Sequence, residues 1–269
     1  MENKSIKIQC PAKINLTLKV LNKRDDGFHN IESIMQTINL FDYLTISIHE
    51  AEELKINLSG NSSEIPYDEK NLVYKAAKLF FEKYGKENFL VDIFIEKNIP
   101  VAAGLAGGST DAAGTLYGLN KLLSNPFSHS ELYKLCAQLG SDLNFCLEGG
   151  RQKATGRGEI LEPMEFEEFS VSLIKPENLG ISAKEAYTKF SAKKAAGLSN
   201  KDYVNDLEWG LINEYLDLRI IKNLYPKSIM SGSGSTYYLI NSEFDKMDGC
   251  FIKNNLKAIP YGIKEVSTF

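Results

Sequence analysis

NIPVAAGLAGGSTDAAGTLYGLNKLL, running from Asn98 to Leu123, is the stretch on which the reading of this chain turns. An apolar approach, Ile99-Pro100-Val101, enters a loop where Gly104, Gly107 and Gly108 stand among alanines, and Ser109-Thr110-Asp111 then opens a helical pattern. Ala112, Leu116, Leu119 and Leu123 recur at i, i+4, i+7 and i+11, which predicts one apolar face packed on a core. Ser109 suits an N-cap and Asp111 a first turn. Glycines free the backbone for unusual dihedrals and let a ligand approach its N–H groups. A glycine loop feeding a helix N-terminus offers unpaired donors and a positive dipole end, which suits a phosphate. The dipole contributes only ~0.3–1 kcal/mol, so partners elsewhere must help. The same composition also fits a helix start that merely packs closely on a strand. Asp111 puts negative charge where the anion would sit, so it must turn away, cap backbone or face a metal ion. No Gly-Lys-Ser/Thr follows and no GxGxxG occurs, which excludes a P-loop and a dinucleotide fingerprint.

Working outward, Val91, Ile93 and Ile95 alternate as the strand that leads into the loop. Before it, Asn71–Tyr84 reads as a helix with Leu72, Ala76 and Phe80 on one stripe, ending at Gly85. Near the amino terminus Ile14, Leu16, Leu18 and Val20 alternate with Lys13, Asn15, Thr17 and Lys19. Lys13 and Asn15 therefore share the polar face of a strand, by default a solvated one. Arg24-Asp25-Asp26-Gly27 is a turn signal, followed at once by Phe28-His29-Asn30, either a stacking platform or ordinary loop packing. Two further strands are expected at 34–40 and 44–48. After the glycine stretch a helix spans about Ser130–Leu139, with Ser128 and Glu131 spaced as a capping box and Gly140 as C-cap. Asp142 then stands at an expected helix-to-strand junction, and GGRQKATGRGEIL reads as turns and short strands.

Beyond about Met164 the order changes. Strands are expected at Ser170–Lys175, Ser228–Met230, Thr236–Ile240 and Gly262–Val266, and helices at Ser182–Phe190, Asp202–Asn223 and Phe244–Leu256. The long middle helix carries Trp209, Ile212, Leu216 and Ile220 on one stripe, and Ser191–Asn200 is a polar linker. This is close to β-α-β-β-α-β, the split unit of a ferredoxin-like layer. A boundary is therefore expected near residues 158–168. Ser231-Gly232-Ser233-Gly234-Ser235 joins two strands and opens no helix, so its glycines bend backbone or let another element approach.

At 269 residues, with 43% apolar and 25% charged residues, the chain has the composition of a soluble protein with one large or two modest domains. A net charge of −4 argues against a nucleic-acid surface as its main business. Cys10, Cys136, Cys146 and Cys250 form no CxxC, which points to reduced thiols. His29, His49 and His129 show no ligand spacing, so no protein-built metal site is expected. The polar start MENKSIKIQC and the lack of a long apolar run imply a soluble, unexported, cytoplasmic protein.

Three separated pieces, PAKINLTLKV at 11–20, PVAAGLAGGSTDAA at 100–113 and SIMSGSGST at 228–236, resemble the three motifs of the GHMP small-molecule kinases. RDDGFHNIESIMQTINLFD at 24–42, LGSDLNFCLEGGRQKATGRGE at 139–159 and NDLE at 205–208 narrow the resemblance to members that phosphorylate a cytidylated methylerythritol. The resemblance covers nearly the whole chain in order. It implies an α+β, two-domain GHMP kinase fold with the site in the cleft between the domains. Residues 1–163 would form a ribosomal-S5-domain-2-like α/β domain, and residues 164–269 a ferredoxin-like α+β domain.

The implied reaction moves the γ-phosphoryl of ATP to the substrate's 2-hydroxyl with Mg²⁺ bridging the phosphates, Ser109 or Thr110 nearby. By matching positions, Asp142 is the catalytic aspartate and Lys13 the catalytic lysine. Pro100, Gly104, Leu105, Ala106, Gly107, Gly108, Ser109 and Thr110 belong to the nucleotide loop, and Asn71 and Lys97 to the surroundings of the adenosine. Asn15, Phe28, His29 and Tyr187 would meet the cytidyl substrate. Three positions depart from the family pattern. Phe28 replaces a tyrosine, Ala183 replaces a common threonine, and the segment between Tyr187 and Asp206 is short. The partners implied are small molecules, with no nucleic acid and no membrane, and both monomer and homodimer remain open. A mevalonate, homoserine or sugar kinase is the alternative within the superfamily, but it gives no reason for DGFHNIES. A non-catalytic metabolite-binding protein on the same fold is the alternative outside it.

Overall fold

The computed structural model describes residues 4–200 and 202–266. Residues 1–3, on which the reading of the amino terminus partly rests, lie outside that range. Two long strands, β1 (Lys4–Lys23) and β2 (His29–Glu50), form an antiparallel ribbon around which the molecule is built. β2 is continuous where two strands were expected. It pairs with β4 (Phe89–Glu96), which pairs in parallel with β3 (Lys55–Gly60), and at its other end with β5 (Arg151–Thr155) and through it β6 (Ile160–Pro163). Among the described residues this sheet is completed by β11 (Lys264–Val266) on the free edge of β1.

One face of the sheet carries α1 (Leu72–Tyr84), α2 (Gly107–Leu122), α3 (His129–Leu139) and the short α4 (Leu143–Glu148). The predicted ends of α1 hold: Asn71 accepts from the Val73 N–H, and Gly85 closes the helix at φ 73°. The capping box of Ser128 and Glu131 is formed on α3. α2 departs from expectation in two ways. Its N-cap is Ala106, at φ 60°, so Ser109 lies inside the first turn. It is also buried nearly all round, since Thr110, Asp111, Thr115 and Asn120 are inside as well as the apolar stripe. A Cβ at Gly114 would stand 2.4 Å from Cys10 Sγ, so that glycine is what lets α2 lie so close to the sheet.

The second sheet, in the order β10 (Cys250–Lys257), β7 (Ser170–Pro176), β9 (Tyr237–Ile240), β8 (Ile229–Met230), is antiparallel throughout. Its helices are α5 (Ala183–Ala195), α6 (Asp206–Leu211) and α7 (Leu216–Leu224). α5 runs five residues past Phe190 into the expected linker. The single helix expected over 202–223 is two: α6 begins on the Asn205 cap and stops at Leu211, and α7 restarts after Tyr215. The restart shifts the phase, so Leu218 and Ile221 are buried while Leu216 and Ile220 face outward.

The expected helix at 244–256 does not form: residues 244–249 are irregular, and strand β10 begins at Cys250. Phe244, Met247, Ile252 and Leu256 mimic a helical spacing, but Gly249 at φ 73° breaks the run and a register shift between Lys253 and Leu256 carries Leu256 inward. The final strand does not stay in this sheet: β11 returns to β1.

β1 threads three cores in succession. Ile6, Ile8 and Cys10 pack under the α1–α4 layer, Ala12 and Ile14 pack against Val171, Leu173 and Tyr238, and Leu18 and Val20 pack on α5–α7. Register shifts at Pro11/Ala12 and Asn15/Thr17 bend the strand at the middle of this path.

Candidate active site

Lys13 and Asn15 lie on that bend. Alternation predicts a solvated face for them, yet both are buried, because the glycine loop covers the face. The Lys13 N–H donates to the Leu105 carbonyl (3.1 Å), so the loop docks on the strand edge that β11 occupies further back. Lys13 Nζ donates to Asn15 Oδ1 (2.6 Å) and to the Gly104 carbonyl (3.1 Å), and stands 3.6 Å from Asp142 Oδ2. Asn15 in turn donates from Nδ2 to Ser33 Oγ (2.8 Å), and Ser33 Oγ donates to the Thr17 carbonyl (2.5 Å). A lysine fixed at two acceptors, with a partly exposed carboxylate opposite, presents one cation and one proton acceptor to the same small volume.

Asp142 sits at the N-terminus of α4, so its junction is helix to helix and not helix to strand. The Ser231–Ser235 loop closes the site from the other sheet. Ser231 Oγ donates to the Gly104 carbonyl (2.9 Å), and the Thr236 N–H donates to Ala103 (3.3 Å). A Cβ on Gly232 would meet Lys13 Nζ at 3.0 Å, which is the close approach expected of that loop's glycines. Asn205 holds this loop by donating to the Met230 and Gly232 carbonyls (2.7 and 2.8 Å), while Asp206 accepts from the Val20 N–H (2.8 Å). The NDLE motif thus ties α6 to β1 and to the serine-glycine loop. The motif is legible in the sequence, but these partners of Asn205 and Asp206, 25, 27 and 186 residues away, are not.

The cleft has a volume of about 1010 Å³ and is lined by residues of both sheets' connections, among them Lys13, Asn15, Phe28, His29, Asn71, Lys97, Pro100, Gly104, Ala106, Gly107, Gly108, Ser109, Asp142 and Tyr187. Two expected loop residues are not on its wall. Leu105 packs its side chain into the core beside Ile14, and Thr110 is fully buried with its hydroxyl against the Cys146 thiol. Lys97 lines the cleft, but its ammonium is committed inward, to Asp42 and to Asp111 Oδ2 (2.9 Å). That pairing answers the conflict posed by Asp111, with no metal ion required. Burial raises the Asp111 carboxyl, while the Lys97 ammonium 2.9 Å away pulls it back toward the ionised form. Burial draws the Lys97 ammonium down, yet the Asp111 and Asp42 carboxylates together hold it above its ordinary value. Asp42, which the sequence reading did not single out, also accepts the N–H groups of Asn98 (2.6 Å) and Ile99 (2.8 Å).

At the far end Phe28 is 50% exposed, with the Arg157 guanidinium 5.0 Å from its ring centre. Tyr187 does not face Phe28 directly. It stacks on His29, with centroids 5.2 Å apart and planes 14° from parallel. Burial, followed by Lys23 and Lys194, lowers the His29 pKa, so the imidazole is neutral at pH 7 and offers one donor and one acceptor. Burial, and then the Asp142 carboxylate, raises the Tyr187 phenol, and both residues line the same cleft. Ser182, next to the departure at Ala183, spends its hydroxyl on the Glu185 N–H as the cap of α5. Among the described residues no cluster of three or more His, Cys, Asp or Glu side chains could hold a metal, and no helix is long and apolar enough to cross a membrane.

Comparison with known proteins gives this geometry its family. Residues 71–150 match the GHMP kinases N terminal domain. The 4-diphosphocytidyl-2-C-methyl-D-erythritol kinase of Fusobacterium nucleatum subsp. nucleatum is 36% identical over 96% of this chain and 95% of its own length. That of Clostridium beijerinckii is 38% identical over 91% and 94%. A crystal structure of 4-(cytidine 5'-diphospho)-2C-methyl-D-erythritol kinase superposes with a TM-score of 0.67 at 29% identity, over 87% of this chain and 89% of that one. A mevalonate kinase structure, 14% identical with a TM-score of 0.61, shares the fold. The chain therefore belongs to the 4-diphosphocytidyl-2-C-methyl-D-erythritol kinase family of the GHMP kinases.

Proposed function

We propose that this protein transfers the γ-phosphoryl of ATP to the 2-hydroxyl of 4-diphosphocytidyl-2-C-methyl-D-erythritol, with Asp142 and Lys13 at the reacting atoms. The observation that carries the reading is the 3.6 Å approach of Lys13 Nζ to Asp142 Oδ2 beside Gly104, in a cleft that continues to the His29–Tyr187 stack. Phosphoryl transfer passes through a loose transition state, so the protein's task is alignment and charge neutralisation. Asp142 takes the proton of the attacking hydroxyl, and Lys13, held by Asn15 and Gly104, neutralises charge as it develops on the transferring group. The N–H groups at the start of α2, at Gly107, Gly108 and Ser109, receive the phosphates. Asn15 accepts from Lys13 and donates to Ser33, which orients the lysine, and its amide nitrogen keeps a second N–H for the substrate contact expected of it.

A divalent cation fits this site as a companion of the phosphates. Ser109 lines the cleft at the start of α2, and its hydroxyl is a hard oxygen suited to Mg²⁺. When bound it supplies charge neutralisation on the phosphate oxygens. We place the division between the two units near residues 163 and 164. Strands β1–β6 build one sheet and β7–β10 the other, and only β11 returns. In this arrangement the first unit carries the nucleotide loop and both reacting side chains, and the second supplies Tyr187 and the serine-glycine loop.

The cytosine is proposed to lie on Phe28, with the His29–Tyr187 stack opposite. Phe28→Ala is expected to raise the KM for the cytidyl substrate roughly 5–150-fold, the equivalent of one lost stacking contact of about 1–3 kcal/mol. The KM for ATP is expected to stay unchanged. Steady-state kinetics with each substrate varied in turn check this, and equal losses for both would reverse the pocket assignment. The function itself is tested by ATP-dependent phosphorylation of 4-diphosphocytidyl-2-C-methyl-D-erythritol by the purified protein, run beside mevalonate and homoserine. Turnover of either competitor in preference to the cytidyl compound would overturn it.

A further inference from the structure

The cluster of Asp42, Lys97 and Asp111 lies beneath the glycine loop, outside the reacting groups. Each member comes from a different part of the chain: Asp42 from β2, Lys97 from the residue just after β4 where the loop departs, and Asp111 from the second turn of α2 where the loop returns. All three side chains are at most 6% exposed. Asp42 also grips the Asn98 and Ile99 N–H groups, so the entry limb of the loop is held by one carboxylate and the exit limb carries the other. The ammonium sits between them. A Cβ on Gly107 would stand 3.0 Å from Lys97 Nζ, so the cation also packs against the first residue of α2.

Asp111 Oδ1 is buried with no hydrogen-bond partner, so this carboxylate depends on Lys97 for compensation. The charge count shows what is at stake. Two carboxylates and one ammonium leave the cluster at most one negative charge, whereas without the ammonium it would carry up to two, under the donors meant for a triphosphate. In a medium of low effective dielectric such a charge is felt strongly by an anion one turn away.

We infer that Lys97 is an electrostatic positioning residue, whose buried ammonium cancels the carboxylates under the glycine loop and so lets that loop accept the polyphosphate of a nucleotide. Its role is thus toward the phosphates by way of Asp111, and not toward the nucleoside. The inference rests on the proposal that the loop binds ATP.

The test compares binding of a non-hydrolysable ATP analogue with binding of adenosine, for the unsubstituted protein, Lys97→Met, Asp111→Asn and the Lys97→Met/Asp111→Asn double variant. Calorimetry supplies the affinities and a melting curve checks folding. Lys97→Met is expected to weaken the ATP analogue roughly 10–100-fold, as one uncancelled charge requires, with adenosine changed less than about threefold. Removing the Asp111 charge in the double variant is expected to restore most of the loss. Asp111→Asn alone is expected to bind the analogue as well as the unsubstituted protein or better, and this arm decides the matter should Lys97→Met not fold. Equal weakening of analogue and adenosine by Lys97→Met, no rescue in the double variant, or a tenfold loss of analogue binding in Asp111→Asn would each overturn the inference. An unsubstituted protein that binds no ATP analogue would instead defeat the functional proposal on which it rests.

Discussion

Replacing Asp142 with alanine is expected to lower kcat by roughly 10²–10⁴-fold, the range for loss of a general base, while the nucleotide affinity stays near that of the unsubstituted protein. The separation follows from position. Asp142 stands at the start of α4 with its side chain 31% exposed, and its recorded ion pair is with Lys13 and not with the glycine loop. Removing the carboxylate leaves the bonds from Lys13 to Asn15 and Gly104 in place, so the loop that receives the phosphates keeps its shape. Single-turnover kinetics with a parallel binding titration check both halves. Near-normal turnover in Asp142→Ala would remove Asp142 from the chemistry, and a large loss of nucleotide binding would make it part of the phosphate site.

Gly104→Ala is expected to damage stability and turnover together. Gly104 has φ +73°, and a Cβ there would lie 2.1 Å from the Ser231 carbonyl and 2.9 Å from the Gly234 nitrogen, both backbone atoms with no rotamer to yield. Left-handed strain of about 1–2 kcal/mol adds to overpacking of about 1–3 kcal/mol. For a chain of this size that corresponds to a fall of roughly 5–15 °C in melting temperature. The Gly104 carbonyl also accepts from Lys13 Nζ and Ser231 Oγ, so pushing the two loops apart displaces the lysine, and a misplacement near 1 Å costs roughly 10²-fold in rate. Gly108→Ala is the matched control for stability, since a Cβ at Gly108 meets nothing within 4 Å and its helical backbone tolerates a side chain. Thermal melts of both variants, with kcat for Gly104→Ala, decide the matter. An unshifted melting temperature in Gly104→Ala would mean that the two loops do not bear on each other as described.

Those two expectations draw on different sources. Asp142 and Gly104 were both legible as motif positions, but only Asp142 had a role that a motif could convey. The clash of Gly104 with Ser231 joins residues 127 apart, and no local pattern carries such a pairing. Periodicity succeeded where one neighbour decides burial. The alternation of Val91, Ile93 and Ile95 and the caps of α1 and α3 are set within a turn or a strand, and the structure keeps them. It failed where two packing partners compete. Lys13 and Asn15 alternate as a solvent face would, yet a loop from beyond residue 100 lies over them. Phe244 to Leu256 has the apolar spacing of a helix, but the break at Gly249 and the open edge of β7 turn its second half into strand β10.

The sequence by itself determined the family and the chemistry on offer: a glycine loop ahead of a helix, a lysine on the first strand, a carboxylate after a capped helix. These are covalent and local properties, written in residue type and short spacing. The tertiary structure decided which charges are spent before any ligand arrives. Lys97 is turned inward onto two carboxylates, Asn15 holds Lys13, and Tyr187 rests on His29. The physical reason is that a buried charge or amide is governed by whatever polar atom lies within about 3 Å of it, and those atoms come from segments that meet only when the chain has folded.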